Sequence, residues 1–393
     1  MIVGVEGNPA SVRLEHGNGT LLLQRQQDGS WTRRVPAAVL IANYRTGDLR
    51  NTAASLEVVS SSGTAQLPLT VNVRDNTVPD VSVNVLSAAA QAASHVINIR
   101  FDSIYAGDEV PPEVLRTLYQ FFGDDYDFIT VLEQVVSPLG PLYFAVRNGV
   151  TGLGLQTFTR TETFGSTARL QGILHFPYEA TFDPAATSFL HQLAHRWMNY
   201  SNLSSLRGLR PHWPISTLAY GITGTENPVS GEAEIFRWQL TANPNGSYAV
   251  RAAAAPLTFN DFELYLMGLL PADSVGGHVT FLNQNQRSQL RDGGTLSGAT
   301  DTITVAEWVA RDGARVPAYP EAQDTFRMAT LVLSRGGLLS REELAFYNNL
   351  AQRGEAEVQL TTMSFTTRLP TLPFAPATGG RGRLITRLRP DPL

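Results

Sequence analysis

Seven histidines stand among 393 residues, and two of them, His191 and His195, are four apart. They lie in the run Phe189-Leu190-His191-Gln192-Leu193-Ala194-His195-Arg196-Trp197. Residues at i and i+4 share one face of a helix, about one turn apart. Two imidazoles so placed can bind one tetrahedral metal ion. Phe189, Leu190, Leu193 and Ala194 supply the apolar faces that such a helix would bury. Asp183-Pro184 upstream reads as its start, with Pro in a first-turn position.

The rest of the composition narrows the chemistry. There is no cysteine, which excludes disulfides, thiolate zinc sites and a cysteine nucleophile. All 30 basic residues are arginine, so a Walker-type lysine and a Schiff base are excluded. A formal charge of -5 gives no signature of nucleic-acid binding. Charged residues are 17% and hydrophobic ones 43%, enough for a sizeable core. No apolar run approaches the ~20 residues of a membrane span, and no leader-like basic-then-apolar segment is visible. No nucleophile elbow, P-loop or dinucleotide glycine motif is present.

Positioning the histidines needs a fold, and the pattern changes along the chain. Residues 1–85 alternate apolar and polar in short runs separated by turns such as Gly17-Asn18-Gly19 and Ser62-Gly63, which predicts an all-β sandwich. Residues 75–80 read as a linker. Residues 90–365 mix strand-like runs (96–101, 128–132, 142–146, 173–176) with helical ones (112–122, 262–270, 326–333, 340–350), which predicts an α+β domain. Residues 366–393 are rich in Pro, Gly and Arg and read as a flexible tail.

The histidine segment resembles the HExxH helix of zincin metallopeptidases, with flanks of the form HELxHRW found in several bacterial secreted members. The resemblance covers roughly residues 90–350, and its specific motif is the HxxxH helix. It implies a zincin-like metal domain, Zn2+ as cofactor, a polypeptide substrate or ligand, and a secreted or cell-surface setting. Residues 55–73 resemble the closing strands of bacterial Ig-like domains. Leu174-His175-Phe176 would match the edge strand lining a zincin cleft. Phe262-Glu263-Leu264-Tyr265-Leu266-Met267-Gly268-Leu269 looks like a downstream segment of zincin-like proteins, and its Met267-Gly268 would match a Met-turn.

The chain departs from the family at one decisive position. The glutamate of the motif is Gln192 here. In zincins that Glu is the general base and then the acid, a role worth roughly 10²–10⁴-fold. A neutral amide cannot take it. Three explanations stand: a pseudoenzyme, a deliberate inactivating change, or a base supplied by Glu179, Glu232 or Glu263. The alternative to a peptidase homologue is a catalytically dead zincin-like surface binding or adhesion protein.

The third ligand is open in the same way. Position 201, where a metzincin has His, is Ser201. His212, in His212-Trp213, is preferred, because the loop before it can return the chain to the metal and the His-Trp pair recurs in the proteins it resembles. Glu232, Glu234 and Glu263 are the alternatives, as in gluzincins. Tyr220 and Tyr265 could donate to an oxyanion but read more readily as core aromatics. His175 and His95 read as structural, His16 and His278 as surface residues. Gly123-Asp124-Asp125-Tyr126-Asp127 reads as an acidic turn rather than a calcium loop.

Overall fold

The computed structural model describes residues 2–3, 9–17, 19–25, 31–32, 40, 50–73, 79–103, 109–133, 141–176, 183–206, 211–226, 235–254, 257–363 and 370–389. The fold is mixed α/β, with several sheets and few helices. It divides into two units, Met1–Pro79 and Asp80–Leu393.

The first unit carries a four-stranded antiparallel sheet. Its strands are β1 (Ser11–His16), β2 (Gly19–Leu22), β3 (Arg50–Ser60) and β4 (Gly63–Val73), in the order β2-β1-β3-β4. Alternation sets which face is buried. Val12 and Leu14 point inward beside Leu56, Leu23 and Trp31, while Arg13 between them is exposed.

The second unit is built on an eight-stranded sheet. The strands are β5 (Asn84–Ser87), β6 (Ala90–Ala92), β7 (Ile97–Arg100), β8 (Phe128–Glu133), β9 (Leu142–Ala145), β10 (Gly172–Phe176), β11 (Thr325–Ser334) and β12 (Arg383–Ile385). The order is β9-β10-β8-β11-β7-β6-β5, with β12 on the first residues of β11. Strands β10, β8, β11 and β7 run parallel, and β9 is antiparallel to β10. Every residue of β8 is buried, as expected of a central strand covered on both faces.

Those faces are covered by different elements. Ile129, Val131, Ile173 and Leu331 pack with Val114, Leu115 and Leu118 of α1 (Pro112–Leu118). The alternate residues pack on α2 (Thr187–Ala194) and the turn after it. Phe176 stacks on Phe189 at 6.2 Å, and Phe128 meets Trp197 edge-on at 6.0 Å. The histidine helix is thereby fixed to one face of the sheet.

Five expectations are corrected here. Residues 326–333, expected as a helix, lie in β11, which is paired on both sides and almost wholly buried, so its apolar run carries no period that separates strand from helix. Asn84–Ser87 pairs with Ala90–Ala92 in the second unit, so the sequence boundary at 85 lies too late. β10 is internal, and the edge strand beside it is β9. Asp183 does not cap α2, whose N-cap is Ala186. Instead Asp183 accepts from the N–H of Ala185 and pairs with Arg353 at 3.0 Å, which fixes the approach to the helix. Finally, residues 370–389 are no free tail. Phe374, Leu384 and Leu388 are buried, and β12 adds in parallel to β11.

Candidate metal centre

Both motif histidines sit near the end of α2, where backbone carbonyls run out of helical partners. His195 is the C-cap residue. The Tyr200 hydroxyl donates to its carbonyl at 2.7 Å. Asn199 then takes a positive φ of 38° and turns the chain. Its side-chain amide donates to the His212 carbonyl at 2.6 Å. One turn residue therefore ties the loop carrying the third histidine to the helix carrying the other two.

The three rings converge. His191 and His195 centroids are 4.7 Å apart, His191 and His212 5.0 Å, and His195 and His212 5.1 Å. One ligand nitrogen from each lies within 4.8 Å of the others, a group that could hold a metal ion. His191 Nε2 and His212 Nε2 are 3.1 Å apart. Two nitrogens each ~2.05 Å from a tetrahedral zinc would be about 3.3 Å apart, so the spacing fits.

Electrostatics favour ligation. His191 Nδ1 is 3.3 Å from the Ile222 carbonyl, which can only accept, so Nδ1 carries the proton and Nε2 offers its lone pair. Burial holds the His191 imidazole well below its usual pKa, helped by His195, Arg237 and His212. Burial likewise pushes His195 down to about 3. Both rings are neutral near pH 7, as metal ligation needs. His195 Nδ1 is also buried without a hydrogen-bond partner among the described residues. The residues present fit a three-imidazole metal site.

Glu263 is neither a ligand nor a base. It is fully buried on α3 (Asp261–Met267), and both oxygens are occupied. Oε1 accepts from Trp213 Nε1 and the Thr223 N–H, each at 3.0 Å. Oε2 accepts from the N–H groups of Ile222 (3.1 Å) and Asn260 (3.0 Å). Burial pushes its pKa up, and the converging N–H groups oppose that. The carboxylate thus pins Trp213, beside His212, and the Ile222 segment whose carbonyl orients His191. A Cβ at Gly221 would lie 2.3 Å from Glu263 Oε2, so the close approach requires glycine.

The remaining sequence candidates are distributed as follows. Gln192 is half-buried on α2. Glu179, Glu232 and Glu234 lie outside the described residues. Tyr265 packs on Phe262 at 6.2 Å, and no hydrogen bond links it to the three histidines among the described residues. Arg315 binds the carbonyls of Leu266 and Met267, closing the end of α3 where Gly268 takes a φ of 82°. His175 is buried on β10, 2.7 Å from Glu133. His278, expected at the surface, is buried and bonded to Asp261 at 2.8 Å. The acidic turn is structural: Asp124 accepts from Thr167 and Ala168, and Asp127 pairs with Arg169.

Asn199, Ile222 and Arg237 position the histidines or the carbonyl that receives them, and sequence reasoning missed all three. Arg237 donates through Nε and Nη2 to the carbonyl that receives His191. No residue pattern announces a shared backbone acceptor. The Asn260-x-x-Glu263 capping box was legible as a pattern, but not its reach to Trp213.

No family model, curated protein or solved structure matches this chain. No helix among the described residues is long and apolar enough to cross a membrane.

Proposed function

We propose that the second unit is a zinc-binding, zincin-like domain that grips polypeptide at a His191–His195–His212 centre and is disabled as a peptidase by Gln192. The observation that carries this reading is the convergence of three imidazoles from one helix and one loop, with burial holding the two on the helix neutral. Zinc is the ion favoured by an all-imidazole donor set closing on a tetrahedral spacing. A second support is the antiparallel edge strand β9, which contacts α2 and offers an unpaired side to an extended chain among the described residues.

Zinc held there would supply Lewis acidity toward a substrate carbonyl. The chain's own part is to present three lone pairs and to leave one coordination position open. His191 is oriented by Ile222, and His212 is held by Asn199. Gln192 stands at the motif position of the general base and can hydrogen-bond but not accept a proton. Within the described residues no Asp or Glu joins the histidine cluster. The amide at position 192 favours the binding reading over turnover. The first unit is read as an Ig-like spacer and the chain as secreted or surface-attached.

Metal analysis of protein purified without chelator tests the reading. Near-stoichiometric zinc that is lost in His191→Ala supports it. Metal-free protein that refuses added zinc sinks it.

A further inference from the structure

Arg196 directly follows the second histidine and is only 5% exposed. A buried guanidinium costs several kcal/mol unless an anion or a full set of acceptors surrounds it. Other arginines of this unit meet that demand. Arg353 pairs with Asp183, Arg160 with Glu109, and Arg315 bonds three carbonyls. Arg196 has one acceptor, Gln171 Oε1 at 3.2 Å, and no carboxylate pairs with it among the described residues. Its electrostatic neighbours are Tyr143, Tyr200 and two further cations, Arg147 and the carbonyl-bound Arg315.

Arg147 repeats the anomaly. Its backbone N–H donates to the Gln171 carbonyl at 3.1 Å, on the same residue that receives Arg196. Its side chain is half-buried, Nε is buried with no hydrogen-bond partner, and no carboxylate pairs with it among the described residues. The Tyr143 hydroxyl of β9 also donates to the Gln171 carbonyl, at 3.3 Å. The nearby acid, Asp127, is already engaged by Gln171 Nε2, by Arg169 and by the Arg327 N–H. Gln171 thus receives Arg196 through its side chain and Arg147 through its backbone, and neither arginine has a carboxylate partner among the described residues. Arg196 lies in the turn just after α2, and Arg147 lies two residues past the edge strand β9, which contacts that helix.

We propose that Arg196 and Arg147 form a receptor for a carboxylate of the peptide bound at the histidine centre. Planar guanidinium groups match carboxylate oxygens two by two. The proposal rests on the polypeptide reading for its ligand class, but the arginine site itself needs no metal.

The test is calorimetric titration of the full-length protein with N-acetyl-dialanine and with its C-terminal amide, at constant ionic strength. A third probe is an amidated peptide with one internal glutamate, and each titration is repeated after chelator treatment. The free acid should bind at least about tenfold tighter than the amide, the worth of one charge-assisted hydrogen bond. Arg147→Gln and Arg196→Gln should each erase that preference. Circular dichroism checks both variants, and if the buried Arg196→Gln fails to fold, the half-buried Arg147→Gln carries the test. Tight binding of the glutamate probe assigns the carboxylate to a side chain and supports the receptor. Equal affinity for acid and amide with no tighter binding of the glutamate probe overturns it, as does a carboxylate preference that survives Arg147→Gln. A preference that vanishes on chelation also overturns it, because the anion then sits on the metal. A preference that persists in protein unable to bind zinc keeps the receptor and sinks only the metal reading.

Discussion

Trp213 Nε1 donates to Glu263 Oε1 at 3.0 Å, so the residue after the third histidine is anchored by a buried carboxylate from a separate helix. The same carboxylate holds Ile222, whose carbonyl orients the first histidine. Two of the three ring positions thus depend on one side chain that touches neither ring.

Glu263→Gln tests that dependence. The amide has one acceptor oxygen where the carboxylate has two, and its NH2 would oppose N–H donors. Leaving buried donors unpaired should cost roughly 2–4 kcal/mol. Zinc affinity should fall by about 10–100-fold, as when outer partners of metal ligands are removed. Urea unfolding and competitive zinc titration measure the two effects. Unchanged zinc affinity in a destabilised variant would show that Glu263 supports the fold alone.

Removal of the metal should lower stability in proportion to its free concentration. At free zinc of 100 times Kd, binding contributes about 2.7 kcal/mol, and chelation should remove that amount. His191→Ala, His195→Ala and His212→Ala should each lose this chelator-sensitive increment. A chelator response kept by all three would place the metal elsewhere.

Gln192→Glu should raise hydrolysis of an unfolded protein substrate by roughly 10²–10⁴-fold over the parent, the usual worth of a positioned acid–base group. Zinc content should stay the same, since position 192 is not a ligand. Initial rates with a quenched peptide library give the comparison. No gain in a zinc-loaded variant would mean that the centre binds without being a disabled peptidase.

The sequence made some of this architecture legible and hid the rest for physical reasons. His191 and His195 could be paired from spacing alone, because one helix sets their distance. His212 was reached by resemblance and ligand chemistry, since a loop gives no period to count. Glu263 looked like a possible ligand because burial is invisible in a residue name. Its four N–H donors come from three separate segments. The tail misled for a related reason. Pro, Gly and Arg report weak local preference, while β12 is held by pairing with β11 and by a remote glutamate. The edge strand was misplaced because β9 enters the sheet outside β10, an order that chain position does not encode.

That remote glutamate gives a pH test of the C-terminal docking. Glu355 Oε1 accepts from the backbone N–H groups of Thr386 (2.6 Å) and Arg387 (2.7 Å), and Oε2 lies 3.5 Å from His95 Nε2. Partial burial opposes its charge, yet the hydrogen bonds from His95 and the two N–H groups outweigh it and hold the carboxyl at about 2. An unfolded glutamate titrates near ~4.3. The folded group thus binds its proton less readily than the unfolded one. Its stabilisation is full above that unfolded value and is lost as pH falls toward about 2. Glu355→Gln should be less stable at neutral pH by roughly 1–2 kcal/mol. Its stability should also fall less steeply than the parent's through this acid window. Urea midpoints from pH 7 down to pH 2 supply both curves. Parallel curves would remove Glu355 from the acid response and leave β12 held by strand pairing and by burial of Leu384 and Leu388.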